Sequence, residues 1–84
     1  MTLETVDQPY SVSLLALASK HRCAYLLLKS GEWLTILPTT VGDVRVEGYA
    51  GPEWRLFCAV DLDQIVGMKF GREIEEWELK AAGL

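Results

Sequence analysis

The residues that could support catalysis in this chain are few and far apart. His21 is the only histidine, and Ser19 and Cys23 each lie two positions from it. A catalytic histidine needs a nucleophile within hydrogen-bonding reach and a third group that orients it. Side chains two positions apart on a helix do not face each other, so this spacing does not predict such an arrangement. We therefore expect His21 to be a residue at a helix end, and we expect no enzymatic activity.

Two aspartates, Asp61 and Asp63, are separated by one residue. In an extended segment they would share a face, as a pair of acids or a weak cation site. In a turn their carboxylates accept hydrogen bonds from backbone N–H groups instead. Because Asp61 to Gln64 interrupts two apolar runs within Leu56 to Phe70, we expect a turn whose aspartates cap backbone groups.

The two cysteines give no sign of a metal site. Cys23 and Cys58 belong to no Cys-x-x-Cys motif, and there is no pair of histidines. The sequence therefore predicts no metal and no cofactor. We expect two buried thiols in a reducing compartment, because a disulfide would require the two strands to lie side by side.

Composition indicates one small globular domain. The chain has 84 residues, of which half are apolar, and a formal net charge of −4. So much apolar surface in so short a chain favours a subunit or partner interface. No cluster of Lys and Arg is present, so binding to nucleic acid is not expected. The start of the chain lacks the pattern of a signal peptide, and the longest apolar runs are too short to span a bilayer, so a cytoplasmic protein is expected.

The pattern of apolar residues and turn signals predicts a helix, five short strands and a second helix. Residues 1–9 are predicted to be a flexible N-terminus, and residues 10–84 a single domain. Leu14, Leu17, Ala18 and His21 share one face of the first helix. The predicted strands are Cys23–Lys29, Glu32–Leu37, Asp43–Tyr49, Trp54–Val60 and Ile65–Phe70, and the second helix spans residues 72–82. This order favours a mainly β fold, a five-stranded SH3/Sm-like barrel with a helix at each end.

Pro38 and the third strand determine where the sheet is expected to be open. Pro38 is expected to end the second strand or place it on an edge. The third strand alternates strictly, with Val44, Val46 and Gly48 toward the core. Its free edge would favour pairing with another copy, so a homo-oligomer is a possible outcome.

The candidate interface residues flank that strand and the second helix. They are Arg45, Glu47, Tyr49, Trp54, Arg55, Glu73, Glu76 and Trp77. Trp77 lies on an otherwise acidic helix and either docks that helix on the barrel or anchors a partner. Tyr49 and Arg55 could instead form a stacking platform for single-stranded nucleic acid, which the acidic balance disfavours.

Two families of small barrels have a similar order of residues. Leu17 to Arg22, followed by a strand and then Lys29-Ser30-Gly31-Glu32, resembles the helix-to-hairpin passage of the Rof family, small bacterial proteins that inhibit the transcription terminator Rho. Asp61 to Ile65 is similar to the closing corner of that family. The resemblance covers about residues 10–70 and implies an Sm-like barrel that regulates transcription by binding a protein.

The second resemblance is to the WYL domain, an Sm-like barrel that senses ligands in bacterial transcription regulators. Pro38, Gly48-Tyr49, Arg55-Leu56-Phe57 and Leu62-Asp63-Gln64-Ile65 follow a similar order. It implies a small-molecule pocket near Tyr49 and Arg55. Sequence alone thus favours a regulatory or adaptor module that binds a protein, with a ligand sensor and an RNA-binding Sm-like ring as alternatives.

Overall fold

The computed structural model describes residues 10–84, so the predicted flexible N-terminus lies outside the described residues. Two α-helices and five β-strands follow one another in the predicted order. They are α1 (Tyr10–Ser19), β1 (Arg22–Leu28), β2 (Trp33–Val41), β3 (Arg45–Ala50), β4 (Leu56–Asp61), β5 (Ile65–Glu73) and α2 (Glu76–Ala81). Short 3₁₀ turns, Pro52–Trp54 and Leu62–Gln64, precede and follow β4. The prediction of a mainly β domain with five strands and two helices is confirmed.

The strands form one antiparallel sheet in the order β4-β3-β2-β1-β5. Strands β1 to β4 are consecutive neighbours, as expected when short turns connect antiparallel strands. Strand β5 returns to pair with the other side of β1. Within residues 10–84 the sheet therefore ends at β4 on one side and β5 on the other, with no ladder between them, and closure into a barrel stays a prediction.

Helix α1 covers one face of this sheet, which we call the inner face. Leu14 and Leu17 of α1 are buried against Leu26, Ile36 and other apolar strand residues. The spacing of three between the two leucines places both on one side of the helix, as predicted. Helix α1 is nevertheless apolar on its other side too, where Leu15 is 58% exposed.

Helix α2 covers part of the opposite, outer face. Residues of β1 and β2 alternate between the two faces, so Cys23 and Leu37 point away from α1. They form a second buried cluster with Ile74, against which Trp54 and Leu79 pack. The sheet is thus buried on both faces around Cys23 and Leu37, whereas Trp33 and Thr35, on the outer face at the start of β2, are exposed.

The sequence predicted that Pro38 ends β2 or places it on an edge, and both expectations are wrong. Strand β2 continues to Val41, and it lies between β1 and β3. The ladder between β1 and β2 runs only to the pair Ala24–Ile36, whereas β3 pairs with β2 from Leu37 onward. Proline lacks the N–H that would bond to β1, but β1 is no longer paired at that point, so Pro38 is accommodated.

The predicted second helix, residues 72–82, begins too early. Strand β5 continues through Gly71 to Glu73, and α2 spans only Glu76–Ala81. A Cβ atom at Gly71 would lie 2.2 Å from the Cys23 Sγ, so glycine allows the two strands to approach closely here. Helix α2 ends at the C-cap Ala82, and the next residue, Gly83, has a left-handed φ of +80° and donates its N–H to the carbonyl of Lys80 at 3.1 Å.

Two further predictions are corrected by the backbone. Val44 is 69% exposed, because β3 begins only at Arg45, whereas Val46 and Gly48 are buried as predicted. His21 does not belong to α1, which ends at Ser19; it has a left-handed φ of 52° in the turn to β1. The predicted helical face therefore stops before His21.

Candidate functional site

One of the two edges of the sheet lies at β4, the other being β5, and β3, where the sequence placed the free edge, is interior. Strand β3 pairs with β2 on one side and with β4 on the other. Strand alternation looks the same in an interior strand and in an edge strand, so the pattern of residues 43–49 could not distinguish the two. In residues 10–84, β4 pairs with β3 alone.

The register of β4 shows which of its backbone groups point outward. The Leu62 N–H donates to the Val44 carbonyl at 2.9 Å, in the same register as the β3–β4 ladder. Hydrogen-bonded pairs recur at every second residue of an antiparallel ladder. Even-numbered residues of β4 therefore bond to β3, and Phe57, Ala59 and Asp61 direct their N–H and C=O groups away from the sheet. Such a row of backbone groups is a template for another strand.

Exposed aromatic and aliphatic side chains accompany this open backbone. Phe57 is 60% exposed and Leu56 is 62% exposed. The ring of Tyr49 meets that of Phe57 edge to face, with 5.8 Å between centroids and an interplanar angle of 75°. Sequence reasoning selected Tyr49 but missed Phe57, since an apolar run gives no signal of which strand is at an edge.

The charged candidates of β3 lie in the same surface. Arg45 faces Asp61 and Glu47 faces Ala59 across the β3–β4 ladder, on the side of the sheet that carries Tyr49. The structure thus brings Arg45, Glu47 and Tyr49 together, beside β4, as a mixed polar and aromatic strip.

Trp54 and Arg55 lie in the turn that leads into β4. Trp54 is in a 3₁₀ turn and not in a strand, and both Glu53 and Trp54 have positive φ angles. Its indole packs against the outer-face cluster and donates a hydrogen bond to Glu78 Oε2 at 3.4 Å. Arg55 Nε lies 2.9 Å from Glu53 Oε2, and both side chains are about two-thirds exposed. An ion pair so exposed contributes little stability.

Helix α2 docks through Glu78, a residue that the sequence did not single out. The Arg72 guanidinium donates two hydrogen bonds to the Glu78 carboxylate, at 2.8 and 2.7 Å. These bonds lower the pKa of Glu78 to about 2, against the opposing effect of partial burial, and the indole of Trp54 adds a third donor. The same pair raises the pKa of Arg72. The negative charge of Glu78 thereby ties α2 to the end of β5 and to the turn before β4.

The other candidates near α2 do not take part in this docking. Trp77 is 66% exposed, so the prediction that it docks the helix is wrong; its indole donates to the side chain of Glu75. Glu76 forms an exposed i,i+4 ion pair with Lys80 at 3.5 Å. Glu73 lies opposite Arg22 at the end of β5, on the opposite edge of the sheet from β4.

Ser19 and Cys23, the two neighbours of His21 considered for catalysis, have structural roles. The Ser19 hydroxyl donates to the Ala16 carbonyl at 2.8 Å, and Cys23 is buried in the outer-face cluster. Both cysteines are free, and two strands separate β1 from β4. Cys58 is half-buried, not buried as predicted, because it lies on an edge strand, and burial raises the pKa of its thiol.

The acidic corner after β4 does not follow the predicted turn chemistry. The turn is present as the 3₁₀ segment Leu62–Gln64, but the side chain of Asp61 makes no capping hydrogen bond. Asp61 and Asp63 instead line an open depression of about 560 Å³ with Asp43. Among the described residues, no group of three or more His, Cys, Asp or Glu side chains is placed to hold a metal ion.

The fold and this surface define the molecule as a small β-sheet domain with an exposed, aromatic edge at β4. Comparison of the chain with protein-family models, with curated proteins and with solved structures gives no match. None of the helices in residues 10–84 has the length and apolar character needed to cross a membrane.

Proposed function

We propose that this protein is a non-enzymatic regulatory or adaptor module that binds another protein by accepting an added strand along β4. The observation that carries the proposal is the outward row of backbone groups at Phe57, Ala59 and Asp61, bordered by the exposed ring of Phe57. Strand addition satisfies such groups with main-chain hydrogen bonds, and nearby side chains give it specificity. Enzymatic activity is not part of the proposal.

Side chains around β4 would select the incoming strand. The Tyr49–Phe57 pair offers a rigid aromatic contact, and aromatic residues are enriched at the energetic centres of interfaces. Asp61 and the acidic depression beside it favour a strand that carries positive charge at one end. The overall charge of −4 acts in the same direction.

The fold type and the biological setting are also proposed. The consecutive pairing of β1 to β4 and the 3₁₀ turn between β4 and β5 support an SH3/Sm-like barrel. The resemblance of residues 10–70 to the Rof family supports a cytoplasmic bacterial protein that modulates a Rho-type transcription factor. The ligand-sensing and RNA-binding alternatives stay predictions from the sequence.

A proline scan of the edge tests strand addition. Ala59→Pro removes an N–H that points outward, and proline is tolerated at such positions of edge strands. Ala59→Thr is the matched control, because it retains the N–H and has good strand propensity. We expect a tagged wild-type protein and A59T to recover the same specific partner from lysate at low salt, and A59P to lose it. Recovery of no specific partner, where an untagged copy of the same chain counts as a partner, or of the same partner by all three, would refute the proposal.

A further inference from the structure

The side chains and backbone groups along β4 are complementary to those of a second, antiparallel β4. We propose that the strand added to β4 is β4 of a second copy, antiparallel about a two-fold axis at Cys58; this rests on the proposed strand addition. The two sheets would then form one continuous sheet across an isologous interface.

Backbone geometry limits the possible registers. Phe57, Ala59 and Asp61 point their N–H and C=O groups outward, so hydrogen-bonded pairs in a symmetric dimer must join these odd-numbered residues to one another. The two-fold axis can therefore pass through a residue of β4 but not between two residues. Only the axes at Cys58 and Ala59 pair five residues of β4, whereas those at Phe57 and Val60 pair three.

Side chains on the outer face select the axis at Cys58. Along this face β4 presents a ring, a small side chain and an anion, at Phe57, Ala59 and Asp61. With the axis at Cys58, each Phe57 lies opposite the small Ala59. Arg55, in the turn directly before β4, then comes near Asp61 at the end of β4 in the other copy. An axis at Ala59 would place the Phe57 ring opposite the Asp61 carboxylate.

An axis at Phe57 is disfavoured because it pairs fewer residues. It would pair only residues 56–58 of β4, whereas the axis at Cys58 pairs residues 56–60. The axis at Cys58 also brings unlike charges near each other at both ends of the pairing, and Arg55 gives up only its exposed contact with Glu53.

The inner face is apolar in the same register. Each Leu56, 62% exposed in the single chain, would lie opposite Val60 of the other copy, and the two Cys58 residues would face each other at the axis. The Cys58 pair belongs to the pairs without mutual hydrogen bonds, whose Cα atoms lie about 4.5 Å apart. That separation is within the range of a disulfide, so Cys58 reports directly on the register.

Cross-linking at Cys58 tests the register. The fully reduced protein, across a concentration series, is treated with copper phenanthroline at mildly alkaline pH, because burial raises the pKa of the Cys58 thiol. We expect a covalent dimer linked through Cys58, with Cys23 left free because it is only 2% exposed, and no dimer from Cys58→Ser. Pairing of β4 with β5 of another copy would give no such product, since β5 has no cysteine, and would overturn the proposal.

Two measurements on the reduced protein complete the test. Hydrogen exchange of the wild type should show that the amides of Phe57, Ala59 and Asp61 become protected as concentration rises, in step with dimer mass by sedimentation equilibrium. Arg55→Glu should raise the dissociation constant roughly 2- to 30-fold, because two exposed ion pairs are lost. Lys20→Glu, an equal charge change in the turn between α1 and β1, should leave the dissociation constant unchanged.

The outcomes separate this inference from the proposed function. A protein that remains monomeric at every concentration, with no Cys58 product, overturns the second copy as the partner. If A59P nevertheless loses a different captured protein that A59T retains, strand addition stands with a foreign strand. If A59P alters neither self-association nor capture, both proposals fail.

Discussion

Strands β2 and β3 approach each other so closely at Gly48 that a side chain there would meet the backbone of β2. A Cβ atom at Gly48 would lie 2.1 Å from the Leu37 carbonyl oxygen and 2.9 Å from both the Leu37 carbonyl carbon and the Pro38 Cα. The shortest distance is 0.9 Å below the 3.0 Å under which Cβ contacts essentially do not occur (3.0 − 2.1). All three neighbours are backbone atoms, so no side chain can rotate away, and the two strands must separate.

We expect Gly48→Ala to lower the free energy of unfolding by about 3 kcal/mol, the upper end of the usual cost of overpacking. A domain of this size has a total stability of only about 4–13 kcal/mol. The change corresponds to a fall in melting temperature of roughly 12–24 °C. Gly42→Ala is the matched control, because a Cβ there meets only the Arg45 carbonyl oxygen, at 3.6 Å.

Urea unfolding followed by tryptophan fluorescence measures both variants, since Trp54 is half-buried against the outer-face cluster. The midpoint should fall for G48A and stay within about 0.5 kcal/mol of wild type for G42A, with unchanged slopes. Equal stability of the two variants would show that β2 and β3 do not approach each other as described at Gly48.

Three further predictions follow from burial and charge. Leu14→Ala should cost about 2.7–5 kcal/mol in urea unfolding, because Leu14 is fully buried, whereas Leu15→Ala, one residue on, should cost far less; equal losses would contradict the packing of α1. Glu78→Gln should lower stability at neutral pH by removing the ion pair with Arg72. The folded-state pKa of Glu78 is depressed from 4.5 to about 2, so this contribution is present above 4.5 and is lost as pH falls toward 2; a deficit that is constant from pH 7 to pH 2 would contradict this account. Trp77→Ala should change the melting temperature little, since Trp77 is 66% exposed, and a large drop would indicate that Trp77 packs in the fold after all.

Local patterns predicted the elements well and their ends less well. Alternation and turn residues located all five strands, because side-chain period and turn chemistry are local properties. The prediction that the last strand ends before Gly71 is wrong. The absence of a Cβ there permits close packing on Cys23, and the strand continues to Glu73. Docking of α2, one of the two roles that the sequence left open for Trp77, is performed by Glu78. A charged residue on a short acidic helix gives no signal of the arginine that will meet it.

The sequence predicted only the part of the candidate site that lies on β3. Tyr49, Arg45 and Glu47 do lie together, since they alternate on one strand. Phe57, which completes the surface, lies in an apolar run that predicts a strand but not its position in the sheet. Whether such a strand is interior or at an edge depends on its neighbours in space, and these are distant in sequence.

The sequence by itself determined a mainly β domain with a helix at each end, an acidic balance and a tight turn within the stretch from Leu56 to Phe70. Only the tertiary structure decided that β3 is interior, that β4 is open, and that α2 is held by Arg72 and Glu78. The physical reason is that periodicity and turn chemistry act between residues close in the chain. Strand order, edges and ion pairs instead arise from contacts between segments that come together only when the chain folds.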